Sequence, residues 1–215
     1  AVEHETALIA DEVFADYELT SGAARAAGQV LARQDVLVFS LGGLSKSIGL
    51  PQAKLGWIAV GGPDRAVGAA IGQLEVACDT YLSVSTPIQL AAADLLRRGA
   101  VVRDQIRTRI AANYRQLVAF ENDAPACRVL AAEGGWYAVL HVPSLGSEED
   151  LVLDLLTTDG VLAHPGYFFD FTRESYLVVS LLTRETALAE GLLRIQRHFE
   201  YREHIVDAGG PWLRP

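Results

Sequence analysis

The sequence predicts an α/β protein, in which a mainly parallel, helix-covered sheet occupies a larger domain and a small α+β domain follows it. Three observations carry that prediction. ALIADEVF (7–14) and DVLVFSL (35–41) are apolar on both faces, as strands inside a parallel sheet are, and a helix-sized segment separates them. A long pattern rich in Ala, Leu, Arg and Gln runs from about residue 91 to 122 and stops at Asp123–Pro125. Beyond that stop, short strands and helices alternate around a Gly-Gly turn. The implied division is 1–122 for the larger domain with its long helix, 123–205 for the small domain, and 206–215 for a mobile tail without periodicity.

The elements follow in order. ALIADEVF reads as a buried strand that runs into acidic residues at its carboxyl end. A short helix is expected around SGAARAAGQVLARQ (21–34), giving a right-handed strand–helix–strand crossover to DVLVFSL. KLGWIAVGGP (54–63) is a third strand, closed by Gly-Gly-Pro, and helical material then extends from Asp64 to about Cys78. TYLSVSTPIQ reads as a loop, and Gly99 is placed to bend the long helix after it. In the second region, CRVLAA and WYAVLHV (136–142) read as strands, SEEDLVLDLLTTDG as a helix and VLAHPGYFFDF as a turn-rich crossover. YLVVSLL (176–182) reads as a strand and 185–205 as a final helix. Ser147 with Asp150 three residues on resembles a capping pattern, with Asp in place of the usual Glu.

Composition removes several classes of function. A formal net charge of −9 without a Lys/Arg cluster argues against a nucleic-acid surface. No apolar run reaches the roughly 18 residues that a membrane helix requires. The opening AVEHETALIADEVF has neither the basic start nor the apolar core of a signal peptide. Cys78 and Cys127 lie far apart without metal-type spacing, so both read as buried structural thiols and no metal is expected. A cytoplasmic protein is the resulting expectation.

The chemistry concentrates in SLGGLSKSIGLPQAKLGWIAV (40–60). Lys46 sits directly after an apolar strand, in a Gly-rich turn where a solubilising lysine has no reason to be. In an open α/β sheet, ligands bind beyond the carboxyl ends of the strands. Asp11 ends one such strand and Lys46 follows the next, so the crossover brings a carboxylate and an amine to one rim. Spacing alone leaves two readings open: an ion pair at a loop-rich edge, or a site. Gly42, Gly43 and Gly49 would permit close approach of a phosphate or flat cofactor, Ser45 adds a hydroxyl, and Lys54 adds a second cation.

LSKSIGLPQAKLGW is similar to the cofactor-lysine signature of the class I/II aminotransferases, fold-type I enzymes that use pyridoxal 5'-phosphate. It carries Ser-Lys, Gly-Leu-Pro, a cation eight residues after the lysine, and Gly-Trp. ADEVFADY resembles the same family's Asp-Glu-Val-Tyr motif, and STPIQLA, EGGWYAVL, HPGYFF and LVVSLLT follow in the family's order. The resemblance implies that Lys46 forms a Schiff base with the cofactor and later shuttles a proton. It further implies that Asp11 pairs with the ring nitrogen, and that Ser45 and Lys54 contact the phosphate. Ser85 and Thr86 are either part of a phosphate loop reaching a neighbouring subunit or a helix N-cap. Amino-acid and 2-oxo-acid substrates and a homodimer are implied as well.

Departures from the family's pattern are specific. Phe14 stands where many members place a cofactor-contacting tyrosine. Gly43 replaces a serine found in some branches, and Lys54 replaces an arginine, giving a point charge instead of a fork. Val178 stands where the arginine for the substrate carboxylate usually lies. Arg173 is the nearby alternative, with Tyr167, Phe168 and Trp136 as further candidates for the substrate region. His164 reads as a turn or core histidine and Glu12 as a charged strand end. The abrupt apolar opening strand, with no counterpart here for the family's N-terminal elements, implies the C-terminal portion of a longer enzyme that pairs with its own N-terminal part. The function implied is amino-group transfer between an amino acid and a 2-oxo acid. A lyase or decarboxylase on the same fold, or a non-catalytic module, are the alternatives.

Overall fold

The computed structural model describes residues 4, 6–20, 29–81, 83–144, 146–172 and 175–207. Strand β1 (Leu8–Asp11) runs parallel to β2 (Val38–Gly43), with Leu8 opposite Val38 and Asp11 opposite Leu41. Strand β3 (Gly56–Gly61) pairs with β2 in the antiparallel sense, so this three-stranded sheet, in the order β1-β2-β3, is mixed. The strand expected over 7–14 is corrected to four residues. It ends because the Asp11 carboxylate accepts the Val13 amide, an Asx turn that takes the chain out of the ladder. Nor is β1 buried on both faces: it forms the edge of the described sheet, and Ile9 is 72% exposed.

The predicted crossover helix falls mostly on residues 21–28, which lie outside the described residues; a 3-10 turn, Gln29–Ala32, leads into β2. After β2 come the short helix α1 (Leu44–Ser47) and a 3-10 turn, Pro51–Ala53. Helix α2 (Asp64–Thr80) follows β3. Cys78 on α2 is exposed, which corrects its reading as a core thiol; Cys127 is buried as expected. Helix α3 (Thr86–Asp123) begins earlier than predicted, taking in Thr86 to Leu90. It continues through Gly99 without a break. Gly99 is required by packing, since a Cβ there would come 2.6 Å from the Cβ of Ile48.

The chain divides into two units, one of residues 1–108 with 133–135, the other of 109–132 with 136–215. Within the first, the Gly-Gly turn pairs with the segment after β1. Glu18 bridges to Gly134, Gly135 donates to the Tyr17 carbonyl at 2.8 Å, and Leu19 donates to that of Glu133.

The second unit holds β4 (Arg128–Val129), β5 (Tyr137–His141), β6 (His164–Pro165) and β7 (Tyr176–Ser180). They form an antiparallel sheet in the order β4-β5-β7-β6. Helices α4 (Glu148–Asp159) and α5 (Glu185–Asp207) complete it, and the tail predicted from 206 falls largely on residues 208–215, outside the described ones. Leu140, Leu155, Leu177 and Leu181 are fully buried here, each contributing about 2 kcal/mol of hydrophobic stabilisation. Ser147 caps α4 as expected: its Oγ accepts the Asp150 amide and donates to the Asp150 carboxylate, and Gly160 closes the helix at φ 66°.

Glu148, at the first position of α4, is 3% exposed. Its carboxylate accepts the amides of Tyr167 at 2.9 Å and Tyr176 at 2.8 Å, fastening the turn of Gly166–Phe169 to the start of β7.

Candidate active site

Because β1 and β2 run parallel, their carboxyl ends share one edge of the sheet. Asp11 is the last residue of β1, and α1, which carries Ser45 and Lys46, begins directly after β2. A four-residue helix has almost no stability of its own. The surroundings hold it: Leu44 donates to the Leu55 carbonyl at 3.0 Å, Leu50 to that of Leu44 at 3.0 Å, and the buried Ser47 hydroxyl to Gly43 at 2.9 Å. Gly49 turns the chain at φ 65°, a conformation for which glycine is the natural choice.

Lys46 is half-buried, and its Nζ lies 5.6 Å from the centroid of the Phe14 ring, a cation–π contact. The position read as a lost hydroxyl is thus occupied by an aromatic face turned to the ammonium. Ser45 is half-buried on the same helix, and Asp11 is exposed at the strand end. Glu12, read as a mere charged strand end, accepts the hydroxyl of buried Ser40 on β2 at 2.5 Å.

The reading of the glycines is corrected in part. Gly42 does not hold space open for a ligand: a Cβ there would meet the Trp57 indole at 2.4 Å. Gly43 is extended at φ 177° and lies where a Cβ would approach the Leu55 carbonyl at 3.1 Å. Of the three, only Gly49 uses a left-handed backbone.

Lys54 is exposed and left-handed at φ 50°, ending the Pro51–Ala53 turn with its amide bonded to the Pro51 carbonyl. An L-residue with a large side chain pays roughly 1–2 kcal/mol to sit there. Lys54→Gly is therefore expected to raise the chain's stability by about 1 kcal/mol in urea unfolding. If stability does not rise, the left-handed backbone is not a source of strain.

Tyr17 was not singled out by the sequence reading, because a tyrosine between acidic residues looks like surface. It is fully buried, and its hydroxyl donates to the main-chain carbonyl of Lys46. Burial foremost, and then Asp16, pushes its phenol up to about 12, against the opposing pull of Arg103 and Arg107. An unfolded tyrosine ionises near 10. The contribution is therefore intact below pH 10 and is lost as the pH climbs through the window up to about 12. Denaturation midpoints should fall across that window, and fall less steeply in Tyr17→Phe; equal slopes would contradict it.

The candidates for the substrate region belong to the second unit. Trp136 is buried, and its carbonyl accepts the Leu181 amide. Tyr167 and Phe168 are exposed and meet edge to face at 4.8 Å. His164 is exposed beside Phe168 and Phe169, just ahead of the Gly166–Phe169 turn, so of its two readings, turn or core histidine, the core one is corrected. Val178 is 3% exposed in the middle of β7, opposite Val139 and His164. Arg173 lies outside the described residues. Ser85 stands at the N-cap position of α3, its carbonyl accepting the amides of Ile88 and Gln89, and Thr86 is the first helical residue. Among the described residues no group of acidic, His and Cys side chains is arranged to hold a metal, and no helix is long and apolar enough to cross a membrane.

Residues 1–194 match the family model described as aminotransferase class I and II. Alanine aminotransferase of Mycobacterium tuberculosis is 25% identical over 201 residues, which are 91% of this chain and 46% of that protein. The chain thus spans about half the length of the curated relatives it matches. Among solved structures, alanine aminotransferase from Pyrococcus furiosus superposes with a TM-score of 0.77 at 20% identity, covering 93% of this chain and 50% of that one. Tyrosine aminotransferase from Leishmania infantum gives 0.74 at 21%, covering 93% and 49%.

Proposed function

The chain belongs to the class I and II aminotransferases, and from that premise we propose that it carries the cofactor-binding lysine of an enzyme moving an amino group from an amino acid to a 2-oxo acid. The observation that supports this most is the parallel pairing of β1 and β2, which brings Asp11 and Lys46 to one rim of the sheet. The residues there fit pyridoxal 5'-phosphate chemically. An amine answers its aldehyde, a carboxylate its ring nitrogen, and a hydroxyl and a cation its phosphate.

When bound, that group supplies an electron sink that acidifies the substrate's Cα–H. Lys46 supplies the amine that holds it and the base that moves a proton at Cα. Asp11 provides the negative charge that keeps the ring nitrogen protonated. Ser45 and Lys54 bind the phosphate, Lys54 as a point charge. Phe14 packs its ring against the Lys46 amine. Tyr167, Trp136 and Arg173 are assigned to the substrate region. The same proposal includes a homodimer, assembly with the N-terminal part of the enzyme, a cytoplasmic location, and the domain division 1–122 and 123–205. Alanine is the first donor to test, because relatives bear that substrate in their names.

Borohydride reduction in the presence of pyridoxal 5'-phosphate, followed by peptide mapping, tests the assignment. The adduct is expected on Lys46, and an adduct confined to Lys54 would overturn it. A non-catalytic module that retains the fold is the second reading, and one observation favours it: the buried Val178 where the resemblance expects an arginine for the substrate carboxylate. A lyase or decarboxylase is the alternative chemistry on the same fold.

A further inference from the structure

We infer that Tyr17 is a positioning residue for Lys46, acting through the lysine's main chain; this rests on the reading of Lys46 as the cofactor-binding lysine. The turn after β1 touches Lys46 at both of its ends. Tyr17 donates its hydroxyl to the Lys46 carbonyl, and Phe14 lays its ring 5.6 Å from the Lys46 ammonium. The two residues form one local structure, since the Tyr17 amide donates to the Phe14 carbonyl at 2.9 Å. One turn therefore fixes where the lysine's backbone sits and what its amine faces.

The hydroxyl matters because α1 is only four residues long. The last carbonyls of a helix have no partner within it. The Lys46 carbonyl is one of these, and the bond it receives from the Gly49 amide is long, at 3.4 Å. Tyr17 supplies a better donor from outside the helix. Tyr17 is itself anchored, fully buried and with its carbonyl bonded by Gly135 at 2.8 Å. Its elevated ionisation, set chiefly by burial with Asp16, Arg103 and Arg107 as the surrounding charges, keeps it a donor throughout the neutral range.

The same turn begins at Asp11, whose carboxylate is tied to the Val13 amide. Asp11, Phe14 and Tyr17 recur at intervals of three residues. They place a carboxylate at the sheet rim, a ring beside the lysine amine and a hydroxyl beneath the lysine carbonyl. A change in Tyr17 would therefore reach the amine through geometry, without any contact between the phenol and a ligand.

The test compares Lys46 with Lys54 inside one molecule. The full chain, as wild type and as Tyr17→Phe, is reduced with borohydride in the presence of pyridoxal 5'-phosphate. The ratio of adduct on Lys46 to adduct on Lys54 is then read by peptide mass spectrometry. The ratio is expected to fall about fivefold in Tyr17→Phe, the equivalent of one ordinary hydrogen bond. It should recover when 4-aminophenylalanine, which keeps a donor in place, occupies position 17. Because unfolding would itself level the two lysines, the ratio is read at urea concentrations well below each variant's unfolding midpoint. If Tyr17→Phe does not fold, fluorinated tyrosine at position 17 gives the same reading, because the ratio should fall as its more acidic hydroxyl loses the proton. A ratio unchanged in a folded variant, with wild-type label on Lys46, overturns the role of Tyr17 alone. Wild-type label on Lys54 instead overturns the reading of Lys46, and the role of Tyr17 with it.

Discussion

On the proposed function, Lys46→Ala is expected to lower amino-group transfer by at least about a thousandfold, because it would remove both the amine that holds the cofactor and the base at Cα. The fold should hardly respond. Alanine is the best helix former, and the main-chain carbonyl that Tyr17 bonds is kept. The structural loss includes the cation–π contact to Phe14, about 0.5–1 kcal/mol. Covalent cofactor retention after borohydride and a urea unfolding curve separate the two effects. A variant that loses activity only because it unfolds would make Lys46 a structural residue.

The second large effect is on stability. Glu148→Leu leaves the part-buried amides of Tyr167 and Tyr176 without their acceptor, and hydrogen bonds to a charged group are the stronger kind. A loss of about 3 kcal/mol is expected, with a further small part from removing an acid from the first turn of α4. The loss should be local in character. Hydrogen exchange at the amides of Tyr167 and Tyr176 should accelerate before that of the β5–β7 pairs. Glu148→Gln should fall between, since it keeps one acceptor oxygen and turns a donor towards the other amide. A change under about 0.5 kcal/mol in Glu148→Leu would mean that the two amides find other partners.

The sequence showed the rim before the structure did, for a physical reason. An apolar strand ending in Asp11 and another ending in a Gly-rich turn before Lys46 bring an acid and a lysine to one sheet edge through chain order alone. Chain order survives errors of a few residues in strand boundaries. Alternation and turn residues likewise announced α4 with its Ser147 cap, and β5 and β7. Other features depend on partners that no local pattern reveals. Gly99 and Gly42 answer to Ile48 and Trp57, which are distant in sequence. Glu148 and Tyr17 were illegible for the same reason. A carboxylate at a helix start and a tyrosine among acids both resemble surface residues until the chain closes over them. The direction of β3 was equally hidden, because a strand's pattern carries its burial but not its neighbour's polarity.

Isotope transfer shows whether this chain supplies the lysine of an amino-transferring enzyme. The chain is incubated with pyridoxal 5'-phosphate, alanine labelled at its nitrogen and a set of 2-oxo acids, alone and after co-expression with the N-terminal half of a full-length relative. Labelled nitrogen is expected in the amine of a new amino acid, abolished by Lys46→Ala, with no labelled ammonia and no release of CO₂. Label appearing in ammonia, CO₂ in place of transfer, or transfer that persists in Lys46→Ala would contradict it.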